Sequence, residues 1–387
     1  MREVVVVSAV RTAIAKGKRG GFKDTRPDDL LAAAIREAVR RAGPLDSAAI
    51  GDLIVGTAMP EAEQGMNVAR IAGILAGLPD SVPALTINRF CSSGLEAIAQ
   101  GAATIHAGWQ DVVLAGGVES MSMIPMGGEK PAPNPALMES RPGAYTPMGI
   151  TAENVASRFG VSRQDQDQFA LESHARALAA IAAGRFVDEI VGIPTRVYNG
   201  SSWNSVTIDT DEGPRKETTY EALAKLAPVF KMGGSVTAGN SSQVSDGAAA
   251  TIVASREYAT KHNLPVLGIL RSYQVVGTDP EIRGVGPRYA IPKALEVAGL
   301  KASDIDVFEI NEAFASQALY CVRELGLDPA KVNPNGGAIA LGHPLGCTGA
   351  RLTATLLHEL RRRKARYGVV SMCIGGGMGA AAVFEAV

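Results

Sequence analysis

The feature that most constrains this chain is an internal repeat. Residues Ala34 to Gly43 (AIREAVRRAG) resemble Ala290 to Gly299 (AIPKALEVAG), and the offset, 290 − 34, is 256. Each segment reads as a helix closed by Ala-Gly, followed by a polar loop and a short apolar strand, Leu53–Val55 or Val307–Ile310. Farther along, Cys91-Ser-Ser-Gly opens a helical pattern that leads to the strand Val112–Ala115, and Cys347-Thr-Gly-Ala leads in the same way to Val369–Met372. Here 347 − 91 is again 256. Two separate segments with one offset make the chain two copies of one α/β unit.

The copies are too far apart to be adjacent, so an insertion separates them. It runs from about Glu119 to Gln243, opens with Met, Gly and Pro, carries a helical stretch from Arg163 to Gly184, and ends in polar loops. The division expected is an N-terminal half over 1–118, an inserted loop domain over 119–243, a return to the first half over 244–268 and a second half over 269–387. Short apolar runs such as VVVV, VVLA and GVVSM suit strands buried on both faces. The class is therefore α/β, two similar halves packed together with the insertion draped over them. A chain of 387 residues also exceeds the roughly 250–300 at which one core stops growing.

Charge excludes some functions. Lys and Arg total 38 against 39 Asp and Glu, which gives no electrostatic reason for binding nucleic acid or a membrane surface. The apolar run at the amino terminus is broken at Ser8, short for a signal peptide, and no uncharged run reaches the ~18 residues of a membrane span. The final residues, FEAV, are not a peroxisomal address, so a cytoplasmic protein is expected. Four cysteines (Cys91, Cys321, Cys347, Cys373) have neither disulfide-framework nor metal-site spacing. No metal site is expected.

Cys91 follows the strand-like run Ala84–Ile87 and precedes a helix, where unsatisfied N–H groups and the helix dipole would lower a thiol pKa. It is either a nucleophile or a small buried hydrophobe. His343, in Gly342-His-Pro-Leu-Gly, lies on a glycine-enclosed loop, and the repeat places that loop near the position Cys91 occupies in the other half. His106, His174, His262 and His358 read as surface or satisfied residues. Cys373 ends a strand and leads into Gly375-Gly-Gly-Met-Gly, which lacks the spacing of a dinucleotide loop. Asn311 also closes a strand, as a turn residue or as an amide that fixes a water or an oxyanion. Cys321 and Cys347 read as structural.

Taken in order, Cys91-Ser-Ser-Gly, Asn311-Glu-Ala-Phe, Gly342-His-Pro-Leu-Gly and Cys373-Ile-Gly-Gly-Gly resemble the signature motifs of thiolases. The resemblance covers essentially the whole chain and is greatest to degradative 3-ketoacyl-CoA thiolases: Pro147 stands where short-chain biosynthetic enzymes commonly have His, and Cys347 where they often have a small residue. It implies a layered αβαβα fold and thiolytic cleavage of 3-ketoacyl-CoA by a ping-pong route. Cys91 would be the nucleophile, His343 its base, Cys373 the acid that protonates the departing enolate. Asn311 would hold a water at one oxyanion, and the backbone N–H groups of Cys91 and Gly375 would form the other.

The resemblance also places Met148, Ala313 and Phe314 near the thioester, and Ala238 and Ser242 along the pantetheine channel. Some relatives have Arg or Lys at Ala227, so the basic residue that meets the coenzyme A phosphates is left open. Coenzyme A is a substrate, no permanently bound cofactor is implied, and a homodimer or homotetramer is. The competing readings are an acetyl-CoA acetyltransferase confined to four-carbon substrate, a decarboxylating condensing enzyme, and a non-catalytic lipid carrier; Cys373 argues against the second, the intact set of four residues against the third.

Overall fold

The structure is a computed structural model that describes residues 2–387. In chain order the strands are β1 (Val4–Thr12), β2 (Ala15–Lys16), β3 (Asp52–Gly56), β4 (Ala84–Ile87), β5 (Val112–Ser120), β6 (Ile190–Val191), β7 (Ile193–Tyr198), β8 (Trp203–Ile208), β9 (Ser245–Ser255), β10 (Gly268–Gly277), β11 (Val307–Ile310), β12 (Tyr367–Ile374) and β13 (Met378–Ala386). The helices are α1 (Pro27–Arg41), α2 (Val68–Leu75), α3 (Ser93–His106), α4 (Pro135–Ser140), α5 (Met148–Arg158), α6 (Arg163–Ala182), α7 (Tyr220–Ala224), α8 (Arg256–Lys261), α9 (Gly286–Ala298), α10 (Ala315–Glu324), α11 (Ala338–Leu341) and α12 (Thr348–Arg363).

The duplication is visible in the sheet, whose order is β11-β12-β13-β10-β1-β9-β5-β3-β4. Read outward from its middle, β1, β9, β5 and β3 have the same sequence of pairings as β10, β13, β12 and β11. In both halves the first three are antiparallel neighbours and the fourth is parallel to the third. The halves join where Val5 and Val6 of β1 pair with Ile269 and Gly268 of β10.

All nine residues of β1 are buried, because the strand faces apolar layers on both sides. Val4 and Val6 point into a central core built around α3 and α12, which both halves share. Val5 and Val7 point the other way, into a core covered by α1 and α2. On the far side, α9 covers the second half through Ala290, Ile291 and Ala294. Helix, strand, helix, strand, helix: the αβαβα layering follows from these three cores.

α1 has Pro27 at its start, Asp28 and Asp29 in its first turn and Arg40 and Arg41 in its last, each suited to the helix dipole. Gly43 and Gly299 end the repeated helices at φ 73° and 69°, the left-handed region that stops a helix with little penalty only for glycine.

The insertion leaves the sheet after Ser120, touches it again where Ile190 and Val191 of β6 pair with Arg11 and Thr12 of β1, and returns to it at Ser245. It contains α4 to α7 and a separate hairpin of β7 and β8. Buried Arg11 of β1 anchors it by ion pairs to Glu189 (2.6 Å) and Asp211 (2.7 Å). β9 pairs with β1 and β5, so the chain rejoins the first half before α8 leads into β10.

Candidate active site

Two equivalent turns meet at the centre of the molecule. Cys91 lies in the 3-10 turn Phe90–Ser92 before α3, and Cys347 in the 3-10 turn Leu345–Cys347 before α12. The helix starts are packed so tightly that a Cβ on Gly349 would stand 2.3 Å from the Leu95 nitrogen, and one on Gly94 would stand 2.8 Å from the Ala350 nitrogen. The pseudo-twofold arrangement thus brings the loop of His343 to the turn of Cys91. Leu345, two residues beyond His343, packs against Cys91.

Local side chains shape the Cys91 turn. Ser93 Oγ donates to the Phe90 carbonyl (2.7 Å) and accepts from the Arg89 N–H (2.8 Å), while Asn88 Oδ1 accepts from the Phe90 N–H (2.8 Å). Together they hold Phe90 at φ 45°, a conformation bulky residues seldom adopt.

Cys91 is 3% exposed. Its thiol is pushed up to about 11 by burial, against the lowering effects of a hydrogen bond from the Gly375 N–H and of the Arg283 charge. This corrects the expectation of a low thiol pKa at a helix N-terminus. The helix begins at Ser93, two residues later, and desolvation of the sulfur outweighs the N–H groups around it.

His343 is buried and pushed down to about 3, first by burial and then by the charge of Arg351. It is therefore a neutral imidazole at ordinary pH, and its hydrogen bonds select the tautomer. Nδ1 lies 2.6 Å from Thr348 Oγ1, and the single hydroxyl proton of Thr348 is committed to the Pro344 carbonyl (3.0 Å). Nδ1 must then donate, and Nε2 keeps its lone pair, 3.3 Å from Asn311 Nδ2. Asn311 is fully buried, and its Oδ1 has no partner among the described residues. An orphaned acceptor of this kind suits a bound water.

Cys373 is the next-to-last residue of β12, fully buried, with Sγ 3.5 Å from Gln317 Oε1. Burial and the neighbouring Cys91 push its thiol strongly up. It shares an apolar cluster with Ala313, Phe314 and Met148. After it, Gly376 and Gly377 adopt φ 79° and 90°, turning the chain so that Gly375 presents its N–H to Cys91. Ser242 donates its backbone N–H to the Ala313 carbonyl (2.9 Å), which ties the end of the insertion to this cluster. Ala238 is exposed, some way out along the insertion, and lines a cleft with Lys16, His174, Arg215, Lys216 and Leu223.

Cys321 and Cys347 are core residues, both with thiols pushed up to about 12 by burial. His174 accepts from the Arg215 N–H (3.2 Å), and His106 and His358 contact backbone carbonyls. His262 stacks on Tyr258.

Sequence reasoning missed the groups that hold these parts still. Buried Glu119 accepts from the N–H groups of Ala58 (2.8 Å) and Gly346 (2.8 Å) and from Gln64 Nε2 (2.6 Å), pinning the turn beneath Cys91. Glu312 accepts from Ser173 Oγ (2.7 Å) and Asn333 Nδ2 (2.8 Å), beside the glycine loop that carries His343. Thr348 and Arg283 were missed as well. The partners of Glu119, Glu312 and Arg283 come from distant segments, so no local spacing announces them; the adjacency of Glu312 to Asn311 was a signal, and so was Thr348, five residues after His343.

Two like α/β halves, with a cysteine turn from one and a histidine loop from the other meeting at a buried centre, define the two-half acyltransferase architecture. The chain belongs to the thiolase family: residues 4–257 match the thiolase N-terminal domain and 264–386 the thiolase C-terminal domain. It is 54% identical over 390 residues to the 3-ketoacyl-CoA thiolase of Bacillus subtilis (strain 168), covering 100% of both chains. It is 56% identical to the peroxisomal 3-ketoacyl-CoA thiolase of Homo sapiens, over 99% of this chain and 91% of that one. Its structure is similar to the dimeric peroxisomal thiolase of Saccharomyces cerevisiae, with TM-score 0.92, 48% identity and coverage of 100% and 98%. It is also similar to human mitochondrial 3-ketoacyl-CoA thiolase in complex with CoA, with TM-score 0.91, 43% identity and coverage of 100% and 98%.

Proposed function

We propose that the chain is a 3-ketoacyl-CoA thiolase, which converts a 3-ketoacyl-CoA and coenzyme A into acetyl-CoA and an acyl-CoA shorter by two carbons. The observation that carries this reading is the hydrogen-bond chain through His343, which leaves an unprotonated, oriented lone pair on Nε2 at the turn of a buried, protonated Cys91. A thiol that titrates near 11 needs a proton acceptor held in place beside it to become a nucleophile.

In the reaction, Cys91 Sγ attacks the 3-keto carbon while His343 Nε2 takes the thiol proton. The bond between carbons 2 and 3 breaks, and its electron pair leaves as the enolate of acetyl-CoA, which the Cys373 thiol protonates at carbon. Cys373 then recovers a proton from the incoming coenzyme A thiol, whose sulfur attacks the acyl thioester. Cys91 departs and takes its proton back from His343. One oxyanion falls to His343 and a water on Asn311 Oδ1, the other to the N–H groups of Cys91 and Gly375. Coenzyme A would run past Phe314, Ala313, Met148 and Ser242 to the cleft at Ala238, where Lys16, Arg215 and Lys216 supply charge for its phosphates.

We read the protein as a cytoplasmic homodimer or homotetramer acting in fatty acid β-oxidation. No helix among the described residues is long and apolar enough to cross a membrane. The competing activity, an acetyltransferase on four-carbon substrate, draws on the likeness to an acetyl-CoA acetyltransferase of Bacillus anthracis, with TM-score 0.91 and 41% identity. The test is CoA-dependent release of acetyl-CoA from six-carbon 3-ketoacyl-CoA thioesters. Turnover supports the proposal; activity confined to acetoacetyl-CoA transfers the protein to the acetyltransferase class.

A further inference from the structure

Arg283 is a buried cation with no paired anion among the described residues. It lies in the 3-10 turn Pro280–Val285 that leads into α9, and it is 6% exposed. One guanidinium nitrogen, Nη2, donates to the Thr146 carbonyl (2.7 Å), and Nε is directed at Met148 Sδ. Among the described residues no carboxylate forms an ion pair with it. The acids nearest in sequence, Asp279 and Glu281, are turned outward to Arg158.

An unpaired charge in such a place is costly unless something completes it. The surroundings show where the completing group would come from. Met148, which Arg283 touches, packs on the cluster of Ala313, Phe314 and Cys373. Arg283 is also close enough to Cys91 and Cys373 to lower both thiols, though burial dominates each. The guanidinium therefore borders the space in which an acyl chain attached to Cys91 must lie. A hydrocarbon chain there would leave the charge desolvated and unpaired. A carboxylate at the far end of the chain would meet it with fork geometry.

We propose that Arg283 is a specificity residue that pairs with a terminal carboxylate on the acyl chain, so that the preferred substrates are ω-carboxy-3-ketoacyl-CoA thioesters. This deepens the thiolase reading and rests on it. The reaction that supplies such a substrate would oxidise the 3-hydroxyl of a dicarboxylic acyl-CoA, and the shortened product would be a dicarboxylic acid monothioester.

The experiment compares kcat/KM for CoA-dependent thiolysis of 3-ketoadipyl-CoA with that of 3-ketohexanoyl-CoA, equal in chain length and different only at the terminus. The wild-type protein is expected to favour 3-ketoadipyl-CoA by at least ~10-fold, since a site built around a buried polar group discriminates strongly against a substrate that leaves it unpaired. Arg283→Met is expected to reverse the preference, losing at least ~10-fold on the carboxylate and gaining several-fold on the alkyl chain. Arg283→Lys keeps the charge without the fork and should fall between them. Equal wild-type use of the two substrates overturns the proposal, with no variant required. So does an Arg283→Met protein that loses both activities in the same proportion, because Arg283 would then serve the sulfurs. Failure of the thiolase reading itself looks different: neither of these nor acetoacetyl-CoA is cleaved, and the proposal falls with it.

Discussion

Asn311 Nδ2 stands 3.3 Å from His343 Nε2, and on the opposite edge of the same ring Thr348 Oγ1 stands 2.6 Å from Nδ1. Because Thr348 passes its own proton to Pro344, the ring is held with Nε2 bare. Replacing Thr348 with Val removes the acceptor and lets the imidazole turn or change tautomer. We expect kcat to fall about 10–100-fold with the melting transition little changed, as for loss of a group that orients a catalytic histidine. Steady-state kinetics with thermal unfolding checks this; full activity in Thr348→Val would show that Nδ1 needs no fixed acceptor.

Cys91 and His343 are both neutral over the working range, with the thiol near 11 and the imidazole near 3. Alkylation of the free enzyme by iodoacetamide follows the thiolate fraction. Its rate should therefore climb about tenfold per pH unit from pH 7 to pH 9 with no plateau. A plateau near pH 6–7 would mean a stored thiolate–imidazolium pair instead.

His174 offers a separate stability test. Burial first, then Arg215 and Lys16, hold it down at about 4, against an ordinary 6.5. The folded state keeps the neutral ring while the unfolded chain binds a proton below 6.5, so stability is lost as pH falls from about 6.5 towards 4. His174→Gln can still accept from the Arg215 N–H and cannot protonate. The variant should lose less stability than wild type between pH 7 and pH 5, read from urea midpoints. Parallel pH dependence in the two proteins contradicts the assignment.

Gly349 permits the approach of α12 to α3. A methyl group there would meet the Leu95 backbone at 2.3 Å, which no side-chain motion relieves. Gly349→Ala should destabilise the protein by about 2–4 kcal/mol, through overpacking of a contact shared by both halves. A change below ~0.5 kcal/mol in denaturant unfolding would show that the helices separate easily.

Much of this arrangement is legible in the amino-acid sequence. The strands Ala84–Ile87 and Val307–Ile310 lie where the apolar runs placed them, since a short strand is bounded by its own turn residues. The common offset of 256 announced that the Cys347 turn would answer the Cys91 turn, and so brought His343 towards the sulfur. The acidity of Cys91 was misjudged because position along a helix is local, whereas burial depends on how completely the two halves close. Glu119 was unreadable for a related reason: its partners Ala58, Gln64 and Gly346 come from two remote segments. Arg283 is chemically visible only once the absence of an acid around it can be seen.

An acyl group carried by Cys91 is the intermediate on which the proposed chemistry turns. The protein should be mixed with one equivalent of 3-ketohexanoyl-CoA or 3-ketoadipyl-CoA without free coenzyme A, then examined by intact and peptide mass spectrometry. A four-carbon acyl adduct on Cys91, appearing with one equivalent of acetyl-CoA and discharged when coenzyme A is added, is the predicted result. An adduct that forms on Cys373, or one that persists in Cys91→Ala, would contradict it.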